Sequence, residues 1–143
     1  MLADKDNNSN ILHWSSTKCK RVTRSVLASE LYAMAAGFDM SASMKSTIDK
    51  ILNQEIPLVV YTDSKSLYDC LIKLGTTQEK RLMVDIMALR QSYERREIAE
   101  VRWIEGTSNP ADALTKAKPG KALGELVDSN KLSMEMMGWV ERQ

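Results

Sequence analysis

Three acidic residues stand where carboxylates can do chemistry: Glu30, Asp63 and Asp112. Asp63 follows the apolar run Leu58-Val59-Val60-Tyr61. That places it at the C-terminal end of a buried strand, the edge of an open α/β sheet at which ligands collect. Glu30 falls on a helical pattern, about 70° from the centre of its apolar stripe at roughly 100° per residue. Its own row continues through the small residues Ala33 and Gly37. Asp112 lies in the first turn of a helix opened by Asn109-Pro110. Each residue also has an ordinary structural role open to it. Asp63 can cap the following helix, Glu30 can be a solvated border residue, and Asp112 can complement a helix dipole. Taken together they point to different chemistry. None has an evident Lys or Arg partner within its own motif, and converging carboxylates repel unless a cation neutralises them. Oxygen-only donors select Mg2+ or Mn2+. Two such ions about 4 Å apart would clamp the attacking and leaving oxygens of a phosphodiester.

A basic segment directly precedes the Glu30 helix. Lys18, Lys20, Arg21 and Arg24 fall within seven residues, and no acidic residue lies between Asp6 and Glu30. These cations could hold phosphates without reading sequence, and the hydroxyls of Ser15, Ser16 and Thr17 are of the kind that contact a backbone. A solvated basic loop is the other reading. Trp14, Trp103 and Trp139 read as core or surface-packing aromatics rather than base-stacking platforms, His13 as a packed or partly exposed strand residue, and the nine methionines as core filler. Cys19 has no general base in view, so no thiol nucleophile is expected.

The elements that must position these groups follow from periodicity and punctuation. Asp4 to Asn10 is dense in turn formers, with a strand expected at Ile11-Leu12-His13-Trp14 after it and a rudimentary one at Met1-Leu2-Ala3 before it. The short first arm leads us to expect further sequence before Met1. Residues 25–53 read as a long helix with Ser25 as N-cap and Leu27, Leu31, Met34 and Phe38 as its core stripe. A strand ends at Thr62, and a short helix through Leu67, Leu71 and Leu74 closes at Gly75. Thr76 with Glu79 has the spacing of a capping box for a helix carrying Leu82, Ile86, Leu89 and Tyr93. Residues 98–104 alternate as a strand. A short helix from Pro110 should stop at Pro119-Gly120, and residues 121–143 read as a peripheral helix and tail. This mixed order argues an α/β sheet with helices on its faces.

Composition excludes several classes. The chain of 143 residues suits one core; 43% hydrophobic and 27% charged residues are ordinary for a folded domain. No run approaches a membrane span, and no signal peptide is visible. The net charge of +1 means that any attraction for nucleic acid comes from local clustering. Two separated cysteines and one histidine make a zinc site very unfavourable and fit a reducing, intracellular compartment.

Four stretches occur together in order: Ile11-Leu12-His13-Trp14-Ser15-Ser16-Thr17-Lys18, Arg24-Ser25-Val26-Leu27-Ala28-Ser29-Glu30-Leu31-Tyr32-Ala33, Tyr61-Thr62-Asp63-Ser64-Lys65-Ser66-Leu67 and Asn109-Pro110-Ala111-Asp112-Ala113-Leu114-Thr115-Lys116. Over residues 1–120 the chain thereby resembles the ribonuclease H domain of copia-type LTR retrotransposon polyproteins. The resemblance implies a five-stranded mixed sheet with flanking helices, with 121–143 as an appended helix and tail. It implies metal-dependent hydrolysis of the RNA strand of an RNA–DNA hybrid, with two Mg2+ (or Mn2+) ions. By motif match, Glu30, Asp63 and Asp112 take three of the family's four metal-binding positions. The fourth lies on the family's first, central strand, which no residue here matches. A chain without that strand is expected to fold poorly or repack. The loop Glu105-Gly106-Thr107-Ser108 lacks the histidine of cellular relatives, as copia-type members commonly do. The implied partner is a covalently linked reverse transcriptase, without a membrane, and the implied location is a cytoplasmic virus-like particle. The alternatives are an inactive retrotransposon remnant, at most a weak nucleic-acid-binding module; another nuclease or integrase of the same fold; and a helical interaction module using Thr77–Arg95.

Overall fold

The computed structural model describes residues 1–118 and 120–142. Its elements alternate as an α/β chain. They are strands β1 (Leu2–Ala3) and β2 (Ser9–Asn10), helix α1 (Val26–Leu52), β3 (Val59–Thr62), α2 (Lys65–Ile72), α3 (Met83–Glu94), β4 (Glu100–Ile104), α4 (Lys121–Ser129) and β5 (Met136–Trp139). Short 3-10 turns cover Lys80–Leu82, Gly106–Ser108 and Pro110–Thr115. The chain divides into two units, one of residues 1–18 and 104–137, the other of residues 19–103 and 138–143. No described helix is long and apolar enough to cross a membrane.

In the unit of residues 19–103 and 138–143, α1 begins where Ser25 accepts the Ala28 N–H (3.1 Å). It ends at Asn53, which takes the left-handed conformation that asparagine tolerates (φ 52°). Ala28, Leu31 and Met34 are its buried residues, with Leu27 and Phe38 half-buried beside them. They pack with Leu67, Leu71, Leu82, Ile86, Leu89, Tyr93, Ile98 and Val101 into one core. Strands β3, β4 and β5 form a sheet in that order, with β3 and β4 parallel and Thr62 opposite Trp103. β3 stands at one end of that order.

Two boundaries differ from the sequence expectation for local reasons. Helix α2 ends because Leu74 turns left-handed (φ 54°); Gly75 does not supply that turn. Glycine at 75 relieves crowding, since a Cβ there would lie 3.2 Å from the Asp69 carbonyl oxygen. The Thr76–Glu79 capping box does not form. Thr77 accepts the Glu79 N–H (3.2 Å), the Glu79 carboxylate turns to Arg81 and Ser25, and α3 starts only at Met83.

In the other unit, Asp4 holds the first turn by accepting the N–H groups of Asp6 (2.8 Å) and Asn8 (3.0 Å). β1 then pairs antiparallel with β2 at Ser9–Asn10. The hairpin therefore closes before the strand expected at Ile11–Trp14, and that segment belongs to no strand. It leaves Ile11 and Leu12 exposed and Trp14 70% exposed. His13 is exposed as well. Trp14 is thus not a core aromatic, and the strand is missing because a strand forms only where a neighbour offers hydrogen bonds. The expected five-stranded sheet is replaced by this two-stranded pair and the separate three-stranded sheet. The backbone of Asn7 to Ser9 instead meets Asn130 to Leu132, with Ser9 N–H donating to the Asn130 carbonyl (2.7 Å). Residues 121–143, expected as helix and tail, contain α4 and strand β5. The stop expected at Pro119 lies outside the described residues.

Candidate functional site

Glu30 and Asp63 belong to the same unit. Burial of its neighbour Leu31, fully excluded from solvent, fixes the rotation of α1 and leaves Glu30 half-buried at the stripe's border. Ala33 and Gly37, next in its row, are exposed, and a Cβ on Gly37 would meet nothing within 4 Å. The row is open to solvent. Burial, and second to it the negative charge of Asp63, push the Glu30 carboxyl above the usual carboxylate range. Two acids 33 positions apart in sequence are thus brought within electrostatic reach.

Asp63 directly follows Thr62, which is 6% exposed at the end of β3. The competing role for Asp63, capping α2, is taken by Ser64. The Ser64 hydroxyl accepts the Leu67 N–H (3.3 Å), and the Ser64 N–H donates to Thr62 Oγ1 (3.1 Å).

Asp112 lies in the other unit, on the 3-10 turn Pro110–Thr115. Asn109 caps that turn by accepting the Ala111 N–H (3.0 Å). The expectation that Asp112 has no basic partner in its own motif is overturned, because Lys116, one turn on, forms an ion pair with it. Both side chains are partly solvated, so the pair contributes little to stability, about 0.3–0.5 kcal/mol. The spacing of four residues was the available signal. Among the described residues no group of three or more His, Cys, Asp or Glu side chains is arranged to hold a metal ion.

The basic segment is exposed and irregular. Arg21 reaches Asp85 of α3 (3.7 Å) and stacks over the Tyr32 ring (4.8 Å). The positive charge of Arg24 helps hold the Glu79 carboxyl below its usual range, after the Ser25 hydrogen bond and Arg81. Sequence reading missed these acids because Glu79 and Asp85 are more than fifty residues from the cations they meet. Among the described residues Lys18 and Lys20 form no ion pair. Ser16 donates its hydroxyl proton to the Leu114 carbonyl (2.9 Å), which ties its segment to the turn carrying Asp112.

Comparisons with protein-family models, with curated proteins and with solved structures found no match to this chain.

Proposed function

We propose that this chain is a ribonuclease H-like module of a retroelement polyprotein, acting on the RNA strand of RNA–DNA hybrids. The observation that carries the reading is the Glu30–Asp63 pair: burial first, and the nearby Asp63 charge second, raise the Glu30 carboxyl, and a divalent cation would favour its charged form. Glu30 and Asp63 offer only hard oxygens, the donor set of Mg2+ or Mn2+, and the family reading adds Asp112, which the other unit carries. Bound there, such ions would polarise the scissile phosphate and offset the charge that develops on it.

The chain's own residues do the rest. Lys18, Lys20 and Arg24 bind backbone phosphates. Arg21 joins them by exchanging Asp85 for a phosphate. Ser16 donates to the Leu114 carbonyl, and Lys116 neutralises Asp112. A linked reverse transcriptase and a cytoplasmic virus-like particle are the partner and setting that the family reading brings with it.

A second reading is a catalytically inactive remnant that binds nucleic acid weakly. The absence of a three-ligand metal cluster among the described residues favours it. Incubating the full chain with an end-labelled RNA–DNA hybrid and Mg2+ or Mn2+ separates the two. Cleavage of the RNA strand that disappears in Asp63→Asn and Glu30→Gln supports the nuclease and excludes the remnant. Binding with no cleavage in either metal refutes the nuclease.

A further inference from the structure

Trp14 is the most exposed of the three tryptophans, at 70% against 50% for Trp139, while Trp103 packs beside Tyr68 with ring centroids 6.2 Å apart. An indole left in water forgoes burial of a large apolar surface, and its rigid ring with one N–H suits it to contact a partner. The segment carrying it is not loose, because the Ser16 hydroxyl fastens it to Leu114, two residues from Asp112. The residues that follow are hydroxyl-bearing and then cationic: Ser15, Thr17 and Lys18. An exposed aromatic followed in the chain by hydroxyls and a cation without an ion pair matches a single-stranded nucleic acid, whose bases offer flat faces and whose phosphates offer charge.

We propose that Trp14 is a base-stacking platform, holding an unpaired nucleobase adjoining the hybrid while Lys18 holds the neighbouring phosphate. The proposal rests on the nucleic-acid reading above and names the substrate form that this surface selects: a hybrid with a single-stranded extension.

The two contributions separate by salt. Stacking is insensitive to ionic strength, whereas each phosphate contact adds to the slope of log K against log[salt]. The experiment is fluorescence anisotropy on the full chain without divalent metal, using a labelled oligothymidylate and an RNA–DNA hybrid with and without a single-stranded overhang, over a salt series. Trp14→Ala should weaken binding of oligothymidylate and of the overhang hybrid about tenfold at every salt, with an unchanged slope. Trp14→Phe should retain most of the affinity. Lys18→Ala should make the slope shallower. Loss confined to the blunt hybrid, or a change in slope with Trp14→Ala, overturns the proposal. If the wild-type chain binds neither probe, the nucleic-acid reading itself fails. If it binds and Trp14→Ala is indifferent, only the stacking role fails. Tryptophan emission that changes with protein concentration and not with oligonucleotide marks a chain–chain contact, which also overturns it. Because Trp14 is solvent-exposed, far-UV circular dichroism of the variants should be unchanged.

Discussion

The placement of Glu30 depends on the rotation of α1, and two substitutions on that helix test it. Leu31 is fully buried next to Glu30, whereas Val26, five residues earlier and so on another face of the helix, is 76% exposed. Leu31→Ala removes three carbons; at about 0.8 kcal/mol for each buried methylene, the transfer loss is about 2.4 kcal/mol. The cavity left behind brings the cost to about 3 kcal/mol, within the range of roughly 2–5 found for such core truncations. Val26→Ala removes solvated atoms and improves helix propensity, so its effect should stay within about 0.5 kcal/mol. With a urea slope of about 2 kcal/mol per molar, Leu31→Ala should lower the unfolding midpoint by about 1.5 M. Val26→Ala should move it by no more than about 0.25 M. The assay is urea denaturation of the full chain followed by tryptophan emission and far-UV circular dichroism. Equal effects, or a larger one from Val26→Ala, would mean that α1 presents another face and that Glu30 does not border the core.

Four other outcomes follow. Leu74 is exposed and left-handed, so Leu74→Gly should raise the urea midpoint slightly, by about 0.5 kcal/mol of stability. Gly75→Ala should lower it, because the added Cβ would crowd the Asp69 carbonyl at 3.2 Å. Glu30 is harder to ionise folded than unfolded, so its carboxylate opposes folding once pH rises above its folded value, and the penalty vanishes below the usual carboxylate range. Glu30→Gln should therefore be more stable than wild type at neutral pH and equal to it in acid; a neutral-pH loss on denaturation would contradict this. Arg142 donates to the carbonyls of Tyr93 and Ile98 and stacks 3.9 Å from the Tyr93 ring centroid, so Arg142→Ala should cost about 2 kcal/mol, read as a lower thermal midpoint. Arg142→Lys should recover only part of this, since one ammonium cannot reproduce the planar fork.

What was legible in the sequence was what neighbours along the chain decide. Helix α1 was clear because Ser25 and the stripe from Leu27 to Phe38 agree, and the α/β order was clear from the apolar run before Asp63. What needed distant partners was not legible. The Thr76–Glu79 pattern lost to a Ser25–Glu79 contact spanning more than fifty residues. The strand expected at Ile11–Trp14 is missing because β1 pairs with Ser9–Asn10 instead. At the candidate site, the Glu30 border position and the end-of-strand position of Asp63 were readable. That Ser64 takes the capping role, and that Lys116 pairs with Asp112, depended on side-chain geometry that spacing leaves open.

The clasp formed by Arg142 has a consequence for synthesis. Residues 19–103 share their unit with residues 138–143, so the polypeptide leaves that unit at strand β4 and comes back only at its last few positions. A ribosome that has translated α1, α2, α3 and β4 has made nearly all of this unit's core, yet the carbonyls of Tyr93 and Ile98 still await their guanidinium partner. Those contacts of the unit therefore form only after position 142 has cleared the exit tunnel, and a piece cut after Trp103 would lack them.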